Sequence, residues 1–141
     1  MPKDNIRFFS ELPDFKSPYP RKTSGWLKSI CLHEHCSLDS IAYIFCSDEL
    51  LLSLNKEFLK HSTYTDILSF DYSEKGVLSG EVYISIPRVR ENSLKFNQPF
   101  EVELRRVIVH GLLHFLGYKD KSPRQKAQMR RKEEACLSLW K

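Results

Sequence analysis

The sequence predicts an α+β fold in which a mixed sheet of about four strands carries helices on its surface. Short runs rich in β-branched and aromatic residues, such as Ser40 to Cys46 and Gly80 to Ile86, read as strands. Stretches with apolar residues in helical rhythm alternate with them, one beginning at Phe100. At 141 residues, with 41% hydrophobic and 28% charged content, the chain suits one domain over residues 1–141 with a core of its own. No repeat or low-complexity segment divides it.

Taken in order, Ile6 to Ser10 reads as a first strand, and Pro13, Pro18 and Pro20 make an extended connection after it. Thr23 or Ser24 is placed to cap a helix running to about His35, with Trp26, Leu27, Ile30 and Cys31 inward. Ser40 to Cys46 follows as a strand, and Ser47 caps a helix reaching about Leu59. A polar connection from His61 to Asp66 leads into the strand Ile67 to Tyr72. Glu74-Lys75-Gly76 turns the chain into the strand from Gly80. Pro87 opens a short helix to about Phe96, and Ser122-Pro123 starts a last helix ending near Trp140.

The helix that begins at Phe100 carries the chemistry. Val102, Leu104, Val107, Ile108 and Val109 alternate with charged residues, and the same helix continues into His110-Gly111-Leu112-Leu113-His114. His110 and His114 then lie about 40° apart around the axis, where two imidazoles can pinch one metal ion. Gly117 stands where a helix commonly stops in the left-handed conformation. A turn there would bring Asp120 back as an oxygen ligand. Two histidines and a carboxylate with one position open to water make a catalytic zinc pattern, and a helix followed by a Gly turn is a metzincin-like layout. The plainer reading is two satisfied histidines, a helix cap and a turn. In zinc peptidases the residue after the first histidine is usually a Glu general base; here it is Gly111, which turns the expectation away from peptides.

The net charge is +4, unevenly placed. Arg124, Lys126, Arg130, Arg131 and Lys132 crowd the last segment, and Lys28, Lys56, Lys60, Arg88, Arg90, Lys95, Arg105 and Arg106 are spread more widely. A basic rim beside a metal suits an anionic polymer; a solvated helix face with Glu133 and Glu134 as partner acids is the equal alternative. Cys31, Cys36, Cys46 and Cys136 show no CxxC pair and read as free thiols of a reducing compartment. The tract from Cys31 to Cys36, with His33, Glu34 and His35 inside it, matches no common zinc module and reads as a surface helix end. No apolar run approaches a membrane span and the N-terminus opens no signal peptide, so the cytoplasm is expected.

The run from His110 to Tyr118 resembles the signature of the YbeY family of bacterial rRNA maturation factors, regarded as zinc-dependent endoribonucleases. Leu54-Asn55-Lys56-Glu57-Phe58 followed by Thr65-Asp66-Ile67-Leu68-Ser69-Phe70 is similar to the family's Leu-Asn segment and its Thr-Asp-Val-Leu-Ser-Phe strand. Gly80-Glu81-Val82-Tyr83-Ile84-Ser85 is similar to its Gly-Asp-Ile strand, and the likeness runs from about Leu38 to the C-terminus. Two positions depart from the pattern. Asp120 stands where the family usually has a third histidine, and Leu59, with Lys60 beside it, where it usually has an arginine.

The resemblance implies one zinc ion held by His110, His114 and Asp120, with His110 and His114 catalytic. It implies that Thr65, Asp66 and Ser69 lie along the cleft, Ser69 in a structural role, with Glu81 either supporting a ligand or simply alternating in its strand. Tyr118 is near in sequence and reads equally as helix-end packing. Lys60, Arg130 and Arg131 are the expected RNA contacts. The expected function is cleavage of single-stranded RNA in small-subunit rRNA 3′-end maturation and ribosome quality control, with rRNA and the small subunit as partners and neither DNA nor a membrane. A zinc metallopeptidase-like hydrolase and a non-catalytic ribosome-associated protein with a structural metal are the rivals.

Overall fold

The computed structural model describes residues 5–59 and 65–141. Strands β1 (Ile6–Ser10), β2 (Ser37–Cys46), β3 (Ile67–Asp71) and β4 (Val77–Ser85) form one sheet in the order β1-β2-β4-β3. β1, β2 and β4 run parallel, and β3 closes one edge antiparallel to β4. The helices are α1 (Pro20–His33), α2 (Asp48–Leu59), α3 (Ile86–Lys95), α4 (Phe100–Phe115) and α5 (Pro123–Ser138). This is the α+β arrangement that the sequence predicts. No helix among the described residues is long and apolar enough to cross a membrane.

Strand alternation divides the sheet into two unequal faces. Ile41, Tyr43 and Phe45 of β2 and Leu78, Val82 and Ile84 of β4 join the main core with Leu27 and Ile30 of α1 and Leu104, Ile108 and Leu112 of α4. On the other face, Cys46 and Leu68 meet Leu51 of α2 in a smaller cluster, flanked by Phe70 and Tyr83. The hydroxyl of buried Tyr43 donates to the Ile108 carbonyl at 3.0 Å and ties the sheet centre to the middle of α4.

Glycines set how closely α4 approaches. A Cβ on Gly80 would run into the Phe70 carbonyl oxygen and come within 2.7 Å of the Phe115 ring. A Cβ on Gly111 would lie 3.0 Å from Val82 and 3.2 Å from Ile67. The two bare positions let the last turns of α4 press onto β3 and β4, and those turns carry both histidines.

Several boundaries differ from expectation. α1 begins at Pro20 rather than at Thr23 or Ser24, because proline's fixed φ starts a helix directly after Tyr19, itself left-handed at φ 48°. Thr23 and Ser24 are buried inside that helix, with the Thr23 hydroxyl donating to the Tyr19 carbonyl at 2.8 Å. β2 and β4 start at Ser37 and Val77 rather than Ser40 and Gly80, because the two strands pair with each other there. The remaining turns and caps fall where expected. Ser47 receives the Leu50 N–H at 3.1 Å, Lys75 and Gly76 form the turn at positive φ, and Ser122 with Gln125 forms a capping box on α5.

The tract from Cys31 to Cys36 is a helix end, as expected. His35 is left-handed at φ 58°, and the Cys36 and His35 N–H groups return to the Cys31 and Leu32 carbonyls.

Candidate metal centre

α4 ends as the sequence requires for a metal turn. Gly117 adopts φ 105°, its N–H bonds the His114 carbonyl at 3.0 Å, and the Tyr118 N–H bonds the Leu113 carbonyl at 3.0 Å. These paired bonds reverse the chain and return Asp120 to the histidines. His110 Nε2 and His114 Nε2 lie 3.0 Å apart, and Asp120 Oδ2 is 3.2 Å from the first and 3.5 Å from the second. A tetrahedral zinc with bonds of about 2.0–2.1 Å has ligand atoms about 3.3 Å apart, so the three atoms outline one face of such a site. Among the described residues this is the group of His, Cys, Asp and Glu side chains that can hold a metal ion.

The other nitrogen of His110 is already engaged. Glu133 Oε2 of α5 lies 2.6 Å from His110 Nδ1. A carboxylate can only accept there, so Nδ1 carries the hydrogen and Nε2 is the nitrogen that can offer a lone pair to a metal ion. Arg106 holds Glu133 in turn at 3.2 Å and Glu134 at 2.6 Å. Glu133 and Glu134 are therefore not partner acids of a solvated basic face: they reach across to α4.

Electrostatics follow this crowding. Burial disfavours the charged form of His110, but Glu133, Asp120 and Asp66 outweigh it and raise its pKa above the ordinary histidine value. Burial and the neighbouring charge of His110 lower that of His114, against the pull of Asp120. Burial raises Asp66 and Glu103, offset in part by His110 and by Arg106 respectively. A cation bound near Asp66 would favour its charged form and offset the cost of its burial.

His110 and Asp120 open into a cleft of about 560 Å³ whose walls also include Thr65, Asp66, Phe96, Gln98, Arg106, Arg130 and Glu133, while His114 borders a neighbouring cavity with Asp120. Thr65 and Asp66 thus lie where they were expected, and Ser69 does not line this cleft; it pairs with Val82 inside the sheet. Glu81 accepts from the Tyr72 hydroxyl at 3.3 Å, away from the histidines. Tyr118 turns from the metal group and donates to Glu34 Oε1 at 2.6 Å, where Lys132 also binds at 3.1 Å. Arg130 borders the cleft and Arg131, exposed on the next position of α5, does not. Lys60 lies outside the described residues.

A family model described as Endoribonuclease YbeY matches residues 13–141. The chain belongs to the YbeY family. It is 45% identical over 140 residues to the Endoribonuclease YbeY of Christiangramia forsetii, covering 99% of this chain and 97% of that relative. With the protein of the same name from Cytophaga hutchinsonii it shares 45% identity, covering all of this chain and 99% of the relative. The fold is similar to the solution structure of TM1509 from Thermotoga maritima, with a TM-score of 0.69 and 28% identity over 95% of this chain and 87% of that one.

Sequence reasoning missed Glu133 as the support of His110, although a signal was present. Met129, Glu133 and Cys136 form the buried stripe of an otherwise polar α5, and an acid in such a stripe needs a partner.

Proposed function

We propose that this member of the YbeY family cleaves single-stranded RNA at a zinc ion held by His110 Nε2, His114 Nε2 and Asp120 Oδ2. The observation that carries the reading is the triangle of 3.0, 3.2 and 3.5 Å between those atoms at the wall of an open cleft. Family membership makes the chain a hydrolase acting on RNA. When bound, the ion supplies a Lewis acid for a phosphoryl oxygen and lowers the pKa of water.

The chain's own residues do the rest. Glu133 fixes the tautomer and aim of His110, and Asp120 adds the negative charge that a third imidazole would not. Arg130 meets the phosphate backbone at the rim of the cleft. Asp66, half-buried on the cleft wall with its carboxyl raised by desolvation, is a group that could exchange a proton with the substrate.

The role we assign is maturation of the small-subunit rRNA 3′ end and ribosome quality control, in the cytoplasm, by one domain spanning residues 1–141. The metallopeptidase reading is disfavoured by Gly111, where the Glu of zinc peptidases is missing and a side chain would press on Val82 and Ile67 of the sheet.

Elemental analysis of protein purified without added metal or chelator tests the site. About one zinc per chain is expected, reduced in Asp120→Ala and absent in His114→Ala, because two protein ligands hold zinc poorly. Cleavage of single-stranded RNA should track the metal content. Zinc retained in full by both variants would remove the ligand assignment, and zinc-loaded protein that cleaves no RNA would remove the nuclease reading.

A further inference from the structure

α3 ends in a backbone arrangement that fixes two side chains at the lip of the metal cleft. Asn97 is left-handed at φ 54°. Its N–H bonds the Leu94 carbonyl at 3.2 Å, and the Gln98 N–H bonds the Ser93 carbonyl at 2.8 Å. This pair of bonds, with the Phe96 N–H on the Asn92 carbonyl at 2.9 Å, holds residues 96–98 by their backbone. Such a helix end commonly seals itself with an apolar contact between the residues in the positions of Ser93 and Gln98. Here both are polar, so the Gln98 amide is not used for that purpose.

The fold gains little from the side chains so presented. Phe96 is 53% exposed, although burying an aromatic ring is worth about 1.5–3 kcal/mol. Phe96 and Gln98 nevertheless both line the cleft that contains His110 and Asp120. Lys95 Nζ stands 5.7 Å from the Phe96 ring centroid, and Arg130 borders the same cleft. An open aromatic face, an amide with both donors and an acceptor, and cations beside them are the parts that recognise an unstacked nucleobase and its phosphates.

We propose that Phe96 and Gln98 form a nucleobase subsite: Phe96 stacks on one unpaired base of the RNA and Gln98 hydrogen-bonds to the edge of that base. The proposal rests on the RNA-cleavage reading above and adds to it a reason for preferring single strands. A base within a duplex already has both faces stacked and its pairing edge engaged, so it cannot occupy the subsite.

The test uses the full chain and short single-stranded RNAs in which one position at a time is made abasic. Binding is read by fluorescence anisotropy with the metal removed, and cleavage separately with zinc loaded. Phe96→Ala should weaken binding roughly 5- to 150-fold, the range for one lost base stack. Phe96→Trp should restore it, and Phe96→Leu, apolar but not aromatic, should not. The parent should lose affinity sharply at one abasic position, and Phe96→Ala should be insensitive at that same position. Gln98→Ala should relax base preference there, with a smaller loss of affinity. Thermal midpoints of the variants should match the parent, because Phe96 is largely in water. Parent and Phe96→Ala binding within twofold of each other, or identical abasic profiles, would overturn the subsite alone. A parent that binds no RNA strand and, loaded with zinc, cleaves none would overturn the nuclease reading and the subsite together.

Discussion

Glu133 Oε2 lies 2.6 Å from His110 Nδ1, and the contact joins the last helix to α4 at a ring of the candidate metal group. Glu133 is 6% exposed and Arg106 neutralises it from the other side, so its charge is oriented rather than solvated. A carboxylate on the far nitrogen makes Nε2 a better donor and prevents the ring from turning.

Glu133→Gln should therefore lower zinc affinity by roughly 10- to 100-fold while the chain still folds, because the amide oxygen can accept the same hydrogen bond without the charge. Competition with a chromogenic chelator measures this directly. An affinity within twofold of the parent would mean that Glu133 serves only the packing of α5 on α4.

Gly80 governs how the metal helix is seated, although it lies on β4. Replacing it by Ala recovers about 0.5–1 kcal/mol of backbone entropy. The new methyl would meet the Phe70 carbonyl, which cannot move without breaking the β3–β4 ladder, and the Phe115 ring. Overpacking of that kind costs about 1–3 kcal/mol or more and wins the balance. Urea unfolding of Gly80→Ala should show a net loss of about 1–2 kcal/mol or more, with zinc affinity also reduced because Phe115 directly follows His114. Unchanged stability would show that the strand relaxes at no cost.

The cysteines give a prediction about reactivity. Burial pushes the Cys31 and Cys136 thiols up to about 11 and that of Cys46 to about 12, so all three stay protonated and shielded at neutral pH. Cys36 is only partly buried, its thiol near the Glu34 carbonyl at 3.6 Å. Labelling of the folded chain with a thiol reagent at pH 7.5 should modify Cys36 first, and the other three only after unfolding. Fast labelling of Cys136 would mean that α5 opens readily.

These outcomes also separate what the residue order carries from what only packing decides. His110, His114, Gly117 and Asp120 are close in sequence and governed by helix geometry and one left-handed residue, so their convergence is legible in the residue order itself. The strand and helix identities are legible for the same local reason. The starts of β2 and β4 are not, because a ladder extends as far as its partner allows and Ser37 is set against Val77 only by the pairing of the two strands. Nor is the role of Glu133, which meets His110 across 23 positions and two helices. Lys132 reads in the sequence as part of an RNA-facing basic segment, but it is bound to Glu34.

That last contact belongs to a clasp on the metal turn. The Tyr118 hydroxyl donates to Glu34 Oε1 at 2.6 Å and Lys132 Nζ sits 3.1 Å from the same oxygen. The two hold the segment that leads from Gly117 to Asp120 against α1 and α5. The Tyr118 hydrogen bond, helped by Lys132 and opposed by partial burial, keeps the Glu34 carboxyl below the usual glutamate range. A carboxyl depressed in the folded state contributes stability above its unfolded pKa and loses that contribution as pH falls through the folded one. The parent should therefore exceed Glu34→Gln in stability by about 0.5–1.5 kcal/mol at pH 7, and the gap should close between roughly pH 5 and pH 3. Chemical unfolding of both chains across that range checks the sign. A gap that persists unchanged at pH 3 would assign the effect to packing of the side chain. A gap that widens as the solution is acidified would mean that the Glu34 carboxyl is not depressed in the folded chain.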